Sequence, residues 1–228
     1  MIELFASESL NSFLLVYAAL FSIVDPVGGA PVFLGMTRHF PPRVRHALAG
    51  RVALNGFLLL LGSLFVGSHV LEFFGLTLPV VRVAGGLVVT SAGWSLLNQG
   101  ADSQGAPPAE SASGEDPDAF YPLTLPLTVG PGSITVAITL GSQRPQAASG
   151  IRDLALITGG AVVGLVAISL TIYVCYRFAG HVERVLGKSG TNVMLRLSAF
   201  ILVCIGIQIC WAGLSSLLGT LRQVSGSI

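Results

Sequence analysis

Two short stretches of this sequence carry residue types suited to holding a small polar molecule in an apolar setting. The first is Asp25-Pro26-Val27-Gly28-Gly29-Ala30-Pro31; the second is Gly130-Pro131-Gly132-Ser133, preceded by Thr124 and Thr128. Proline has no backbone N–H and clashes with the preceding turn, while glycine adopts conformations other residues avoid. Each stretch is therefore expected to interrupt a helix. Backbone freed in this way cannot face lipid and must be buried in protein or line a wet cavity. There, open amides at a half-helix N-terminus attract a carboxylate, and free carbonyls at a C-terminus attract an ammonium. A zwitterionic amino acid satisfies both. One such break is more often a simple kink, but two at equivalent positions of a repeat point to a site.

Asp25 is the only carboxylate well inside an apolar run. Burying it ionised costs at least about 2.5–3.5 kcal/mol, so such a residue marks a proton or ion pathway, or else caps the half-helix that follows. The two roles are compatible. Thr124, Thr128 and Ser133 supply small hydroxyls that can contact a ligand or bond their own helix backbone. Asn55 and Gln208 read as interhelical hydrogen-bonding residues before substrate contacts, and Arg82 and Arg196 as side chains that snorkel to the interface, with a gating salt bridge as the lesser alternative. Gly160-Ala-Val-Val-Gly164 reads as a close helix contact.

Enzyme chemistry finds little in the chain. His39, His46, His69 and His181 are scattered without metal-ligand spacing, and no GxxxxGK[ST] phosphate loop occurs. Cys175, Cys204 and Cys210 fall in apolar runs, where cysteine behaves as a small hydrophobe. No catalytic residue, metal or cofactor is expected.

The elements that must position these residues follow from composition. Of 228 residues 52% are apolar and only 10% charged, with a mean hydropathy of +0.78. A soluble domain carries about 25% charged residues. Disorder, nucleic-acid binding and a disulfide-stapled secreted module are excluded, and the net charge of +1 steers no acidic partner. An all-α integral membrane protein in a lipid bilayer remains. Six runs reach the roughly 20 residues needed to span: 10–36, 52–70, 76–97, 120–140, 154–178 and 193–218. The leading residues hold Glu3 and Glu8 but no Lys or Arg, unlike a signal peptide, so the first span is expected to be retained.

Placing both termini outside puts Arg38, Arg43, Arg45, Arg51, Arg177, Arg184, Lys188 and Arg196 inside, against Arg82, Arg144, Arg152 and Arg222 outside. That eight-to-four bias sets the expected orientation. Residues 99–118, rich in Ala, Ser, Gly, Pro and acidic residues, read as a linker on the inner side. They divide the chain into a first three-helix unit, 1–98, and a second, 119–228.

The two units resemble each other. Beyond the paired breaks, His69-Val-Leu-Glu-Phe-Phe-Gly75 has a counterpart in His181-Val-Glu-Arg-Val-Leu-Gly187. Arg82 and Arg196 each open the last helix of their unit. Three matches in one order point to duplication. With three spans per unit, the second copy enters from the opposite side, giving inverted repeats with discontinuous first and fourth helices. That is the sequence pattern of a secondary transporter.

Phe120-Tyr-Pro-Leu-Thr-Leu-Pro-Leu-Thr-Val-Gly-Pro-Gly-Ser-Ile134, together with Asp25-Pro-x-Gly-x-x-Pro-x-Phe33, resembles the MarC family of bacterial inner-membrane proteins. The resemblance runs from the first span to the sixth. It implies an inner-membrane location and, from the SnatA-type members, proton-driven transport of glycine and other small neutral amino acids. It also implies that two unwound segments hold substrate through main-chain groups: Asp25, Pro26 and Gly28 in one, Gly130, Pro131 and Gly132 in the other. Gly29, Thr124, Thr128 and Ser133 complete the expected site. Asp25 is the candidate for proton coupling or ammonium recognition. A small-solute channel and a non-transporting structural or regulatory subunit remain as alternatives, and homo-oligomerisation is left open.

Overall fold

A computed structural model of the chain describes residues 2–37, 39–98, 119–142 and 151–225. The expected linker 99–118, with Arg38 and Arg144, lies outside the described residues. In lipid, every backbone polar group must be satisfied within the segment, so apolar runs of this length become helices. They do so here: the order is α1 (Ile2–Val24), α2 (Pro26–Thr37), α3 (Pro42–Phe73), α4 (Leu78–Asn98), a widely wound segment Ala119–Thr128, α5 (Pro131–Ser142), α6 (Ile151–Arg177) and α7 (Ala179–Ser225). No strand occurs among the described residues.

Four of these helices are long and apolar enough to cross a membrane, in α3, α4, α6 and α7. The pair α1–α2, bent by 41° at its break, makes a fifth when counted as one broken span. The run expected as the fourth span is divided between pieces of 10 and 12 residues. A 12-residue helix is only about 18 Å long, short of the hydrocarbon thickness.

Local sequence explains the ends. Pro42 opens α3, where a missing N–H costs nothing. Gly75 closes it in the left-handed region, φ 66°. There the Leu76 N–H donates to the Leu71 carbonyl at 2.8 Å, and the Gly75 N–H to the Glu72 carbonyl at 3.0 Å. This pair of hydrogen bonds is the glycine-dependent helix stop. Gly187, the residue matched to Gly75 in sequence, is also left-handed, φ 67°, and interrupts α7.

The extensive pairings all cross from residues 2–98 to residues 119–225: α4 with α7, α1 with α6, α3 with α5 and α6, and α2 with α7. Small residues let these backbones touch. A Cβ at Gly86 would stand 2.6 Å from the Cys210 amide nitrogen, and one at Gly206 2.9 Å from the Gly86 carbonyl. Gly160 and Gly164 of α6 likewise face the Ser9 and Phe13 carbonyls of α1, so the GxxxG match is a helix contact. Leu20, Phe33, Leu48, Val52, Leu60, Leu165, Ile168 and Ile172 fill the interior between α1, α2, α3 and α6. Large apolar side chains such as Trp94 and Trp211, 60% and 63% exposed, cover the outside. Such a surface is suited to lipid.

Candidate functional site

The first break is one residue wide. Asp25 adopts φ 40°, the only positive φ outside glycine among the described residues. Aspartate enters this region more readily than most residues because its short carboxylate can bond locally. Asp25 Oδ1 accepts the Gly28 N–H at 3.0 Å, which caps α2. On either side the helical ladder is intact: the Asp25 N–H donates to the Phe21 carbonyl at 3.0 Å, and the Gly29 N–H to the Asp25 carbonyl at 2.9 Å. The expected unwound segment is therefore a capped kink, because one left-handed residue with its own acceptor suffices to change the helix direction. Pro26 and Gly28 are buried, whereas Asp25 and Gly29 are half-buried.

The second break is wider, and proline explains why. Tyr121 (φ −121°, ψ 128°) and Leu125 (φ −110°, ψ 125°) are extended within the Ala119–Thr128 segment. Each precedes a proline, Pro122 and Pro126, whose ring disfavours the helical conformation at the residue before it. The bonds consequently step five residues instead of four. Thr124 Oγ1 donates to the Ala119 carbonyl at 2.7 Å, Thr128 Oγ1 to the Leu123 carbonyl at 2.8 Å, and the Val129 N–H to the Thr124 carbonyl at 2.8 Å. Val129 and Gly130 leave the helix, and Pro131 opens α5. The Ser133 hydroxyl donates back to the Gly130 carbonyl at 2.9 Å. All three expected hydroxyls thus bond nearby backbone, a common fate of intramembrane Ser and Thr.

Gly132 packs against Val89 of α4, and Gly28 against Ser198 of α7, each so closely that a Cβ would collide. Thr124, Thr128, Gly132 and Ser133 are buried, Gly130 is half-buried and Pro131 exposed. Arg82 bonds rather than simply reaching for the interface: its Nε donates to Thr139 Oγ1 of α5 at 3.3 Å. No group of three or more His, Cys, Asp or Glu able to hold a metal occurs among the described residues.

One residue absent from the sequence reading joins the two breaks. Tyr176 of α6 is fully buried, its hydroxyl 2.9 Å from Thr128 Oγ1. Because Thr128 gives its single proton to Leu123, Tyr176 is the donor. Its ring stacks on Phe33 of α2 with centroids 4.5 Å apart. A Cβ at Gly29 would sit 2.8 Å from the Tyr176 hydroxyl. Val129, fully buried, packs against Gly56 of α3. A tyrosine near the end of an apolar run was the available signal, since a buried phenol needs a hydrogen-bond partner.

Comparison with known proteins accords with this architecture. Residues 10–218 match the model of the MarC family integral membrane proteins. A UPF0056 membrane protein of Archaeoglobus fulgidus is 29% identical over 207 residues, covering 90% of this chain and 93% of the relative. The UPF0056 inner membrane protein MarC of Salmonella typhimurium is 28% identical over 207 residues, covering 88% and 93%. A UPF0056 membrane protein of Pyrococcus horikoshii is 29% identical over 214 residues, covering 93% and 98%. No solved structure matches the chain. With a match spanning all its apolar helices, the chain belongs to the MarC family of integral membrane proteins.

Proposed function

We propose that this protein is a secondary transporter of small neutral amino acids, glycine or alanine first, coupled to protons and working in the bacterial inner membrane. The observation that carries the reading is the pair of helix breaks at Asp25 and at Val129–Gly130, clasped from α6 by one buried tyrosine. Half-helices meeting inside an apolar bundle are a transporter's means of presenting main-chain groups to a charged solute.

The proposed arrangement is two inverted three-span halves with both termini outside; the helix pairings support the duplication, and the eight-to-four Lys/Arg bias supports the orientation. Exchange α1–α2 with 119–128 and α5, α3 with α6, and α4 with α7. Then α1–α6 maps onto the 119–128 segment against α3, α2–α7 onto α5–α4, and α2–α6 onto α5–α3, all of which occur. The pairings α3–α6 and α4–α7 map onto themselves. The left-handed Gly75 and Gly187 obey the same exchange. On this reading the segment 119–142 is the sixth membrane crossing, made of two short pieces.

Substrate would sit between the first turns of α2 and α5. The N-terminus of α2 already holds a carboxylate, Asp25, whereas α5 has Gly130 at that position. The substrate carboxylate therefore suits the amides of Gly132 and Ser133, and its ammonium suits Asp25. Asp25 doubles as proton carrier, since protonation removes the charge that attracts the ammonium. The bulk of Tyr176, Phe33 and Val129 between the breaks favours a closed, small site over an open pore.

The test is uptake of radiolabelled glycine and alanine into proteoliposomes, with and without an imposed pH gradient. Saturable uptake that rises with the gradient supports the reading. Uptake linear in concentration and indifferent to the gradient indicates a channel, and none from folded protein removes the transport assignment.

A further inference from the structure

We infer that Tyr176 is a positioning residue: its hydroxyl bond to Thr128 latches the two broken helices together over the closed site and must open whenever the site is loaded or emptied. The inference deepens the transport reading, on which its kinetic arm rests.

Three contacts converge on this side chain. The hydroxyl donates to Thr128, the last residue before the second break. The ring stacks on Phe33 at an interplanar angle of 17°, and Phe33 lies on the half-helix that starts at the first break. The hydroxyl also lies against Gly29, one residue beyond the amide that Asp25 caps. Tyr176, Phe33 and Thr128 are buried to 0%, 0% and 2% exposure, so nothing wet separates them. Tyr176 comes from α6, which packs against α1, α2 and α3. Through the stacking on Phe33 it fastens the second break to α2, an element of the first unit. Among the described residues no other side-chain hydrogen bond joins Thr128 to α6.

A buried hydroxyl–hydroxyl bond is strong enough to bias a conformational equilibrium and weak enough to break in every cycle. Stacking on Phe33 keeps the ring in place when the bond opens, so the hydroxyl can return to Thr128. Gly29 is required beside it, because a methyl group there would push the phenol away.

The experiment compares wild type, Tyr176→Phe, Thr128→Val and the double variant. Tyr176→Phe keeps the ring and leaves the Thr128–Leu123 bond in place, so the fold should persist, which a thermal melt checks. The first readout is amide exchange by mass spectrometry over residues 129–134 in substrate-free, detergent-solubilised protein. Tyr176→Phe should raise exchange there about five-fold. It should add nothing in the Thr128→Val background. Unchanged exchange in Tyr176→Phe, or singles whose effects add, overturns the latch whether or not the protein transports. The second readout is glycine uptake, where loss of the latch should raise KM several-fold with kcat held or increased. A fall in kcat at constant KM overturns it. If wild type moves neither glycine nor alanine, the transport reading falls while the exchange result still decides the latch.

Discussion

The carboxylate of Asp25 accepts the backbone N–H of Gly28 at 3.0 Å, so the group proposed to bind and release a proton also holds the start of α2. Loading a proton removes the charge from that cap. On the proposed reading, proton loading and the geometry of the first break meet in this one hydrogen bond.

Asp25→Asn and Asp25→Ala separate these two duties. Asparagine caps helices and tolerates the left-handed region about as well as aspartate, so it should leave thermal stability nearly unchanged. Alanine loses the cap, about 1 kcal/mol, and must also adopt an unfavourable φ at a further cost of about 1–2 kcal/mol. Both should abolish the response of uptake to a pH gradient. Melting curves in detergent and gradient-driven uptake check the pair.

Gly132 offers a second test. A Cβ there would run into the Val89 side chain, so Gly132→Ala should destabilise the fold by about 1–3 kcal/mol and depress transport. Val89→Ala in the same chain makes room and should restore most of the stability. A lack of rescue would place the fault in the backbone of the break instead.

Pro126→Ala tests the origin of the wide turns before the second break. Without the ring, Leu125 is free to become helical, and the five-residue stepping of bonds around it loses its cause. The variant should melt no lower than wild type but take up little substrate. Equal uptake would mean that the winding of 119–128 is not needed for function.

The pairing of helices across the chain makes a fourth prediction. Cutting within 99–118 and co-expressing the two pieces should give fragments that purify together, since the pairings α4–α7, α1–α6 and α3–α5 do not depend on the connection. Gly206→Leu places a bulky side chain where Gly86 and Thr90 approach and should abolish co-purification. Affinity capture through a tag on one fragment checks both outcomes.

Much of this was legible in the residues. Apolar run length located α3, α4, α6 and α7, because lipid leaves the backbone no alternative partner, but it did not show that 120–140 is divided into two short pieces. Gly75 and Gly187 were matched through spacing alone, and both proved left-handed. The kink at Asp25 was legible as a break but not as a break of one residue, since that depends on a carboxylate folding back on Gly28. Tyr176 stayed hidden for a different reason. Its partner Thr128 is 48 residues away on another segment, so no local spacing rule ties the two together. The extended Tyr121 and Leu125 could have been read from the prolines that follow them, a local rule that fixes backbone without reference to any distant contact.

The crossing of every extensive pairing between the two units also bears on how the chain is made. The first 98 residues leave the ribosome with the partners of α1, α3 and α4 not yet synthesised. Faces lined by Gly85, Gly86 and Gly93 must wait in the bilayer for helices still to come. Such an intermediate is open to mispairing with neighbouring copies, and insertion factors that delay lateral release would act on this protein most strongly during its first half.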